Sequence, residues 1–157
     1  MKIKIFALTH KKFEVPQDKM YQPLQVGREE KEDLGYLCDN TGDNISAENC
    51  YYSELTGLYW IWKNVHTYKY VGTCHYRRYL LNEQEKIFTE AEYLELLKDY
   101  DLITTKRVVL NNSYHYGFAT NHNIHALDMT GEVIKELYPE YYDTFVQLKT
   151  WMVNGFR

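Results

Sequence analysis

Two short apolar runs, residues 3–8 and 69–74, flank a helical apolar pattern over residues 53–65. This alternation constrains the fold more than any other feature of the chain. Residues 3–8 read as a strand, with lysines alternating at first and an unbroken apolar run after them. Residues 53–65 place Leu55, Leu58, Tyr59, Trp62 and Val65 on one helical face. That face is expected to be core, with Trp60 left as the ligand-facing aromatic. Thr89-Glu90-Ala91-Glu92 has the form of a capping box and opens a helix to about residue 99. Residues 101–105 read as a third core strand, continued by residues 108–110. Residues 13–50 and 111–121 read as mostly irregular. Helical patterns over 124–137 and 141–153 are separated by Pro139. Strands alternating with helices predict one α/β domain over residues 1–157, with a sheet that is at least partly parallel.

Ligands of such sheets bind beyond the carboxyl ends of the strands. Two basic segments fall there: Thr9-His10-Lys11 after the first strand, and His75-Tyr76-Arg77-Arg78 after the second. If the two strands are parallel neighbours, both segments share one rim. A guanidinium presents a planar fork of donors that matches phosphate. His75, Arg77 and Arg78 are therefore the candidate diphosphate ligands, set against the plainer reading of arginines paired with surface carboxylates. The run Asp39-Asn40-Thr41-Gly42-Asp43-Asn44 is either a tight turn or a grip on a nucleoside or sugar. Glu54, on the first turn of the 53–65 helix, is either a catalytic carboxylate or a complement to the helix dipole.

Other patterns are weaker. Asp99-Tyr100-Asp101 is an acidic triplet that could hold a divalent ion against a diphosphate. Here it precedes a predicted strand, at the end opposite the ligand rim, so it reads as the end of a helix. His115, His122 and His125 have no accompanying cysteine or HExxH pattern and read as loop histidines. No P-loop, GxGxxG or GxSxG occurs. The net charge of −4 argues against nucleic acid as a partner. Cys38, Cys50 and Cys74 are too far apart for a framework and suit reduced thiols in the cytoplasm. No apolar run has membrane-spanning length.

Several segments in this order resemble a known family: Thr9-His10-Lys11, Leu34-Gly35-Tyr36-Leu37, residues 39–46, residues 54–64 and His75-Tyr76-Arg77-Arg78-Tyr79. The chain is similar to a family of glycosyltransferase-like proteins of formally unknown function. That family is associated with bacterial capsule, exopolysaccharide and lipopolysaccharide synthesis. The resemblance implies a GT-A-like fold, that is a Rossmann-type, mostly parallel sheet flanked by helices, and sugar transfer from a nucleotide-sugar donor to a glycan acceptor. It also implies work in the cytoplasm or at the cytoplasmic face of the inner membrane, in peripheral association with that membrane or with polysaccharide assembly proteins. His75, Arg77 and Arg78 then stand where related transferases carry an acidic metal motif, so no cofactor is expected and a divalent metal is not favoured. Thr9, His10, Asp39 and Asn44 are the expected nucleoside and sugar contacts, and Asp43 or Glu54 the catalytic carboxylate. Gly57 departs from the alanine expected at that place in the helix. The family domain extends further, so the resemblance implies a shortened carboxyl-terminal part ending at Trp151–Arg157. The alternatives are a non-catalytic nucleotide- or glycan-binding module and, more distantly, a metal-dependent phosphoesterase using Asp99, Asp101 and the later histidines.

Overall fold

The computed structural model describes residues 2–106 and 108–154. The chain divides into two compact units, Met1–Asp101 and Leu102–Arg157. In the first, strands β1 (Ile3–Thr9), β2 (Tyr21–Gln25) and β3 (Leu37–Cys38) precede helices α1 (Asn49–Tyr52) and α2 (Leu55–Asn64). Strand β4 (Tyr70–His75) and helix α3 (Glu90–Leu96) follow. The four strands form one sheet in the order β3-β2-β1-β4, with every pairing parallel. Every residue of β1 is buried, as expected of an inner strand covered on both faces.

Phe6, Leu8, Leu24 and Val26 pack under α2 with Trp60 and Ile61. On the opposite face Tyr21 meets Tyr79 edge-on at 5.5 Å and donates its hydroxyl to the Phe88 carbonyl at 3.0 Å. The expected capping box forms at α3: Thr89 accepts from the Glu92 backbone, and the Glu92 carboxylate accepts from the Thr89 N–H at 2.8 Å.

Strand β2 lies inside the segment expected to be irregular, and Pro23 is what hid it. Met20 accepts from Ile5, and the Val26 N–H donates to Thr9, so even-numbered residues of β2 face β1. Gln25 instead accepts from Asp39, on the β3 side. Pro23 therefore lacks its N–H on the β3 side, where pairing begins only at Leu24 opposite Leu37.

The face of α2 is also corrected. Leu55, Leu58 and Trp62 are exposed, whereas Thr56, Gly57, Trp60 and Ile61 are buried. Trp60 is core, with its indole N–H donating to the Thr41 carbonyl at 2.8 Å. A Cβ on Gly57 would lie 2.6 Å from Val26 Cγ1 and 3.0 Å from Leu8 Cδ2. The helix thus approaches the sheet on its small residues, closer than alanine permits.

The second unit contains β5 (Val108–Val109), α4 (Tyr114–Asn121), α5 (Ile124–Leu137), α6 (Tyr142–Thr150) and β6 (Val153–Asn154). β5 pairs with β6 in antiparallel fashion. The expected strand over 101–105 does not form. The expected loop over 111–121 is largely α4, capped by Ser113, which accepts from the Tyr116 N–H at 3.2 Å. Helix α5 has the expected bounds, and Pro139 opens a 3-10 turn before α6. Of the unusual ending Trp151–Arg157, residues 155–157 lie outside the described residues.

Candidate functional site

From β1 the chain proceeds to β2 and β3 on one side, whereas β4 lies on the other. That reversal is a topological switch point, and the crevice it creates lies beyond the carboxyl ends of β1 and β4. Leu8 pairs with His75, so the segments that leave both strands emerge side by side. The His10 ring meets Tyr76 edge-on with centroids 5.5 Å apart. A tight turn follows β4, in which the Arg78 N–H donates to the His75 carbonyl at 2.9 Å.

Tyr76 is the centre of this rim. It is buried, and the rings of Phe13 and His75 lie 5.7 and 4.3 Å from it. The Arg77 guanidinium sits 5.0 Å from its centroid and the Lys11 ammonium 5.7 Å. Its hydroxyl has no hydrogen-bond partner among the described residues. His10, Lys11, Arg77 and Arg78 are all exposed. None of them has a carboxylate partner among the described residues. Lys11, Arg77 and Arg78 therefore bring positive charge to this rim with no carboxylate paired to them among the described residues.

The carboxylate at this rim is paired with His75. Glu54 Oε1 lies 3.3 Å from His75 Nε2, while His75 Nδ1 accepts from the Arg77 N–H at 3.2 Å. Burial holds the His75 imidazole below its usual range; Glu54 opposes this, and Arg77, Arg78 and His10 add to it. Glu54 is aimed by its neighbour. Ser53 has φ 49°, a left-handed conformation rare for a residue with a side chain. The Asn49 amide, donating to the Ser53 carbonyl at 2.6 Å, holds it there. The break between α1 and α2 results, and Glu54 starts α2 without capping it.

The other expected contacts are placed differently. Thr9 is buried, and its hydroxyl is engaged with the Lys11 backbone, so it shapes the turn that carries His10. Asp39 is completely buried. Its carboxylate accepts from the Gly27 and Arg28 N–H groups at 2.8 and 3.1 Å and from the Ser46 and Thr56 hydroxyls at 2.6 and 2.7 Å. Gly27 presents its N–H from a left-handed conformation, φ 64°. Asp39 therefore ties the end of β3 to α2.

Asp43 accepts from the Tyr59 hydroxyl at 3.0 Å, lies 3.7 Å from Lys63, and exchanges backbone bonds with the Asn64 side chain. These partners run from the middle of α2 to its carboxyl end, away from Glu54. Asn44 closes its own turn by accepting from the Ser46 N–H at 3.1 Å. The structure thus brings together His10, Glu54, His75, Arg77 and Arg78, and leaves Asp43 and Asn44 apart from them.

Tyr76 and Ser53 are the residues that sequence reasoning passed over, whereas Lys11 falls on the rim with the basic segment that contains it. Tyr76 is signalled by its place inside the other basic segment, and the Ser53 backbone leaves no sequence signal. His122 ends α4 against Phe118 at 4.9 Å, and His125 belongs to α5. Among the described residues no three His, Cys, Asp or Glu side chains are grouped to hold a metal. An open depression of about 450 Å³ in the second unit is lined by Ser113, His115, Val146, Lys149 and Thr150. None of the expected binding residues lines it.

A four-stranded parallel sheet flanked by helices defines an α/β fold of the GT-A-like kind. The comparisons agree with this class. The family model described as "Domain of unknown function (DUF4422)" matches residues 4–153, and the chain belongs to that family. The apo structure of the WbbM bifunctional glycosyltransferase is similar over 98% of this chain, at 26% identity and a TM-score of 0.84. This chain spans 32% of that one. No curated protein matches. Among the described residues no helix is long and apolar enough to cross a membrane.

Proposed function

We propose that this chain is a glycosyltransferase domain that binds a nucleotide-sugar donor through its diphosphate and transfers the sugar to a glycan acceptor. The setting proposed is bacterial surface polysaccharide synthesis, at the cytoplasmic side of the membrane. One observation carries the reading: the basic side chains of His10, Lys11, Arg77 and Arg78, none of them paired with a carboxylate among the described residues, follow the ends of parallel β1 and β4. The likeness to WbbM supports the transferase class.

In the proposed reaction the acceptor hydroxyl oxygen forms the new bond to the anomeric carbon. The bond from that carbon to the diphosphate breaks, and its electron pair leaves with the nucleoside diphosphate. Arg77 and Arg78 stabilise the charge that develops there, a role a metal fills elsewhere. Glu54 accepts the hydroxyl proton. It is preferred to Asp43 because it is the carboxylate beside His75, while Asp43 is engaged by Tyr59 and Lys63.

Calorimetric titration with a panel of UDP-, GDP- and dTDP-sugars, in EDTA and in Mn²⁺, tests the reading. Metal-independent binding of one donor, with slow release of its nucleoside diphosphate, is the expected result. Binding without release would reduce the chain to a binding module. Absence of binding to every donor would refute the donor site.

A further inference from the structure

The two nitrogens of His75 face inward on the site, each toward a different partner. Nδ1 accepts from the Arg77 N–H at 3.2 Å, so the ring's proton belongs on Nε2. Nε2 then points its hydrogen toward Glu54 Oε1, 3.3 Å away. The Glu54 side chain is more than half exposed, which leaves carboxylate surface open to an incoming group. The Arg77 side chain extends over Tyr76 on the same rim and has no carboxylate partner among the described residues.

We infer that His75 is a positioning residue that links the donor's diphosphate site to the Glu54 carboxylate, and is not itself a ligand of the diphosphate. The inference rests on the rim being the donor site. Residue 77 contributes twice to the link: its guanidinium meets the donor, and its backbone N–H fixes the tautomer of His75. That tautomer keeps a neutral donor on Glu54, which orients the carboxylate. A histidine with the other tautomer would turn a lone pair toward the carboxylate and repel it. The groups around the imidazole are Glu54 from the start of α2, His10 from the end of β1, and Tyr76, Arg77 and Arg78 after β4. Lys11 reaches the same Tyr76 ring. Diphosphate arriving on the arginines offsets the Arg77 and Arg78 charges that help hold the His75 pKa down, and moves it back toward its ordinary value.

The test is long-range ¹H–¹⁵N NMR on the full ¹⁵N-labelled chain, with the His75 signals assigned by their loss in His75→Gln. Inorganic pyrophosphate is the probe, because it carries the diphosphate without a base or sugar. In the free chain His75 is expected as the neutral Nε2–H tautomer at neutral pH. Glu54→Gln should lower its pKa by roughly half a unit or more, and saturating pyrophosphate should raise it by about as much. Pyrophosphate affinity should fall about tenfold in Arg77→Ala and stay within about threefold in His75→Gln and Glu54→Gln, consistent with loss of one charge-assisted contact. An Nδ1–H tautomer, a His75 pKa unmoved by Glu54→Gln, or an affinity loss in His75→Gln as large as in Arg77→Ala would each overturn the inference. The tautomer and the Glu54→Gln shift need no ligand. Failure of the wild-type chain to bind pyrophosphate would instead strike the donor-site reading on which the link depends.

Discussion

Asp39→Ala removes a carboxylate at which four donors converge. Two of them are backbone N–H groups, Gly27 and Arg28, which cannot turn elsewhere. The Thr56 hydroxyl has a second acceptor in the Ser53 carbonyl at 3.1 Å, so its loss is small. The Ser46 hydroxyl is buried and loses its acceptor. Three unsatisfied groups at about 1–3 kcal/mol each give roughly 3–9 kcal/mol. Water entering the vacated space favours the lower part of that range, about 4 kcal/mol. A domain of this size has only about 5–15 kcal/mol of stability, so the variant should lie near the edge of folding. Urea unfolding followed by circular dichroism measures the loss. Asp39→Asn keeps the shape but turns an amide donor toward other donors, and is expected to cost about 2 kcal/mol. Being folded, it should bind pyrophosphate within about threefold of wild type, since the cations belong to the ends of β1 and β4. A loss below about 1 kcal/mol in Asp39→Ala would refute the accounting of unsatisfied donors. A tenfold loss of pyrophosphate affinity in folded Asp39→Asn would return Asp39 to the ligand contacts.

Further outcomes follow from the same geometry. Gly57→Ala gains about 1 kcal/mol of helix propensity but places a Cβ against Val26, where overpacking costs about 1–3 kcal/mol. A net destabilisation of up to about 2 kcal/mol is expected by chemical denaturation, and a clear gain would show that α2 is free to move off the sheet. Leu55→Gln and Leu58→Gln, on the exposed face of α2, should change stability by no more than about 0.5 kcal/mol; a cost above about 2 kcal/mol would mean that this face is covered in solution. Because folding lowers the His75 pKa, the unfolded chain binds more protons just below its ordinary value of about 6.5. Stability should therefore fall as pH drops from about 7 through that window and level off below the folded value, and His75→Gln should flatten this part of the profile. An unchanged profile in that variant would show that His75 is not the group responsible.

Much of the sheet's functional edge was legible in the sequence because it rests on short, strongly patterned segments. The first strand was read to within a residue, and β4 was read one residue early at each end. Their basic exits therefore fell on one rim as expected. The helix α5 was equally plain. The α2 face was misread because hydrophobic count favoured Leu55, Leu58 and Trp62, whereas close approach to the sheet selected Thr56 and Gly57. Sequence patterns register how apolar a residue is, not how near two backbones can come. Strand β2 was masked by Pro23, which is tolerated only because β3 is so short. Helix α4 was masked by asparagines and by Gly117 among tyrosines, and the Ser113 cap was its one local sign. The Asp39 turn was conspicuous as a sequence, but its destination was not. Only the fold shows that the carboxylate points into the protein while Asp43 reaches Tyr59 and Lys63 of α2.

A crystal structure of the chain soaked with UDP in EDTA tests the central claim most directly. The diphosphate should be bound by the Arg77 and Arg78 guanidinium groups, next to His10 at the end of β1, with Glu54 left free to meet an acceptor. A diphosphate seated elsewhere, such as the depression lined by His115 and Lys149, with both arginines untouched, would contradict it.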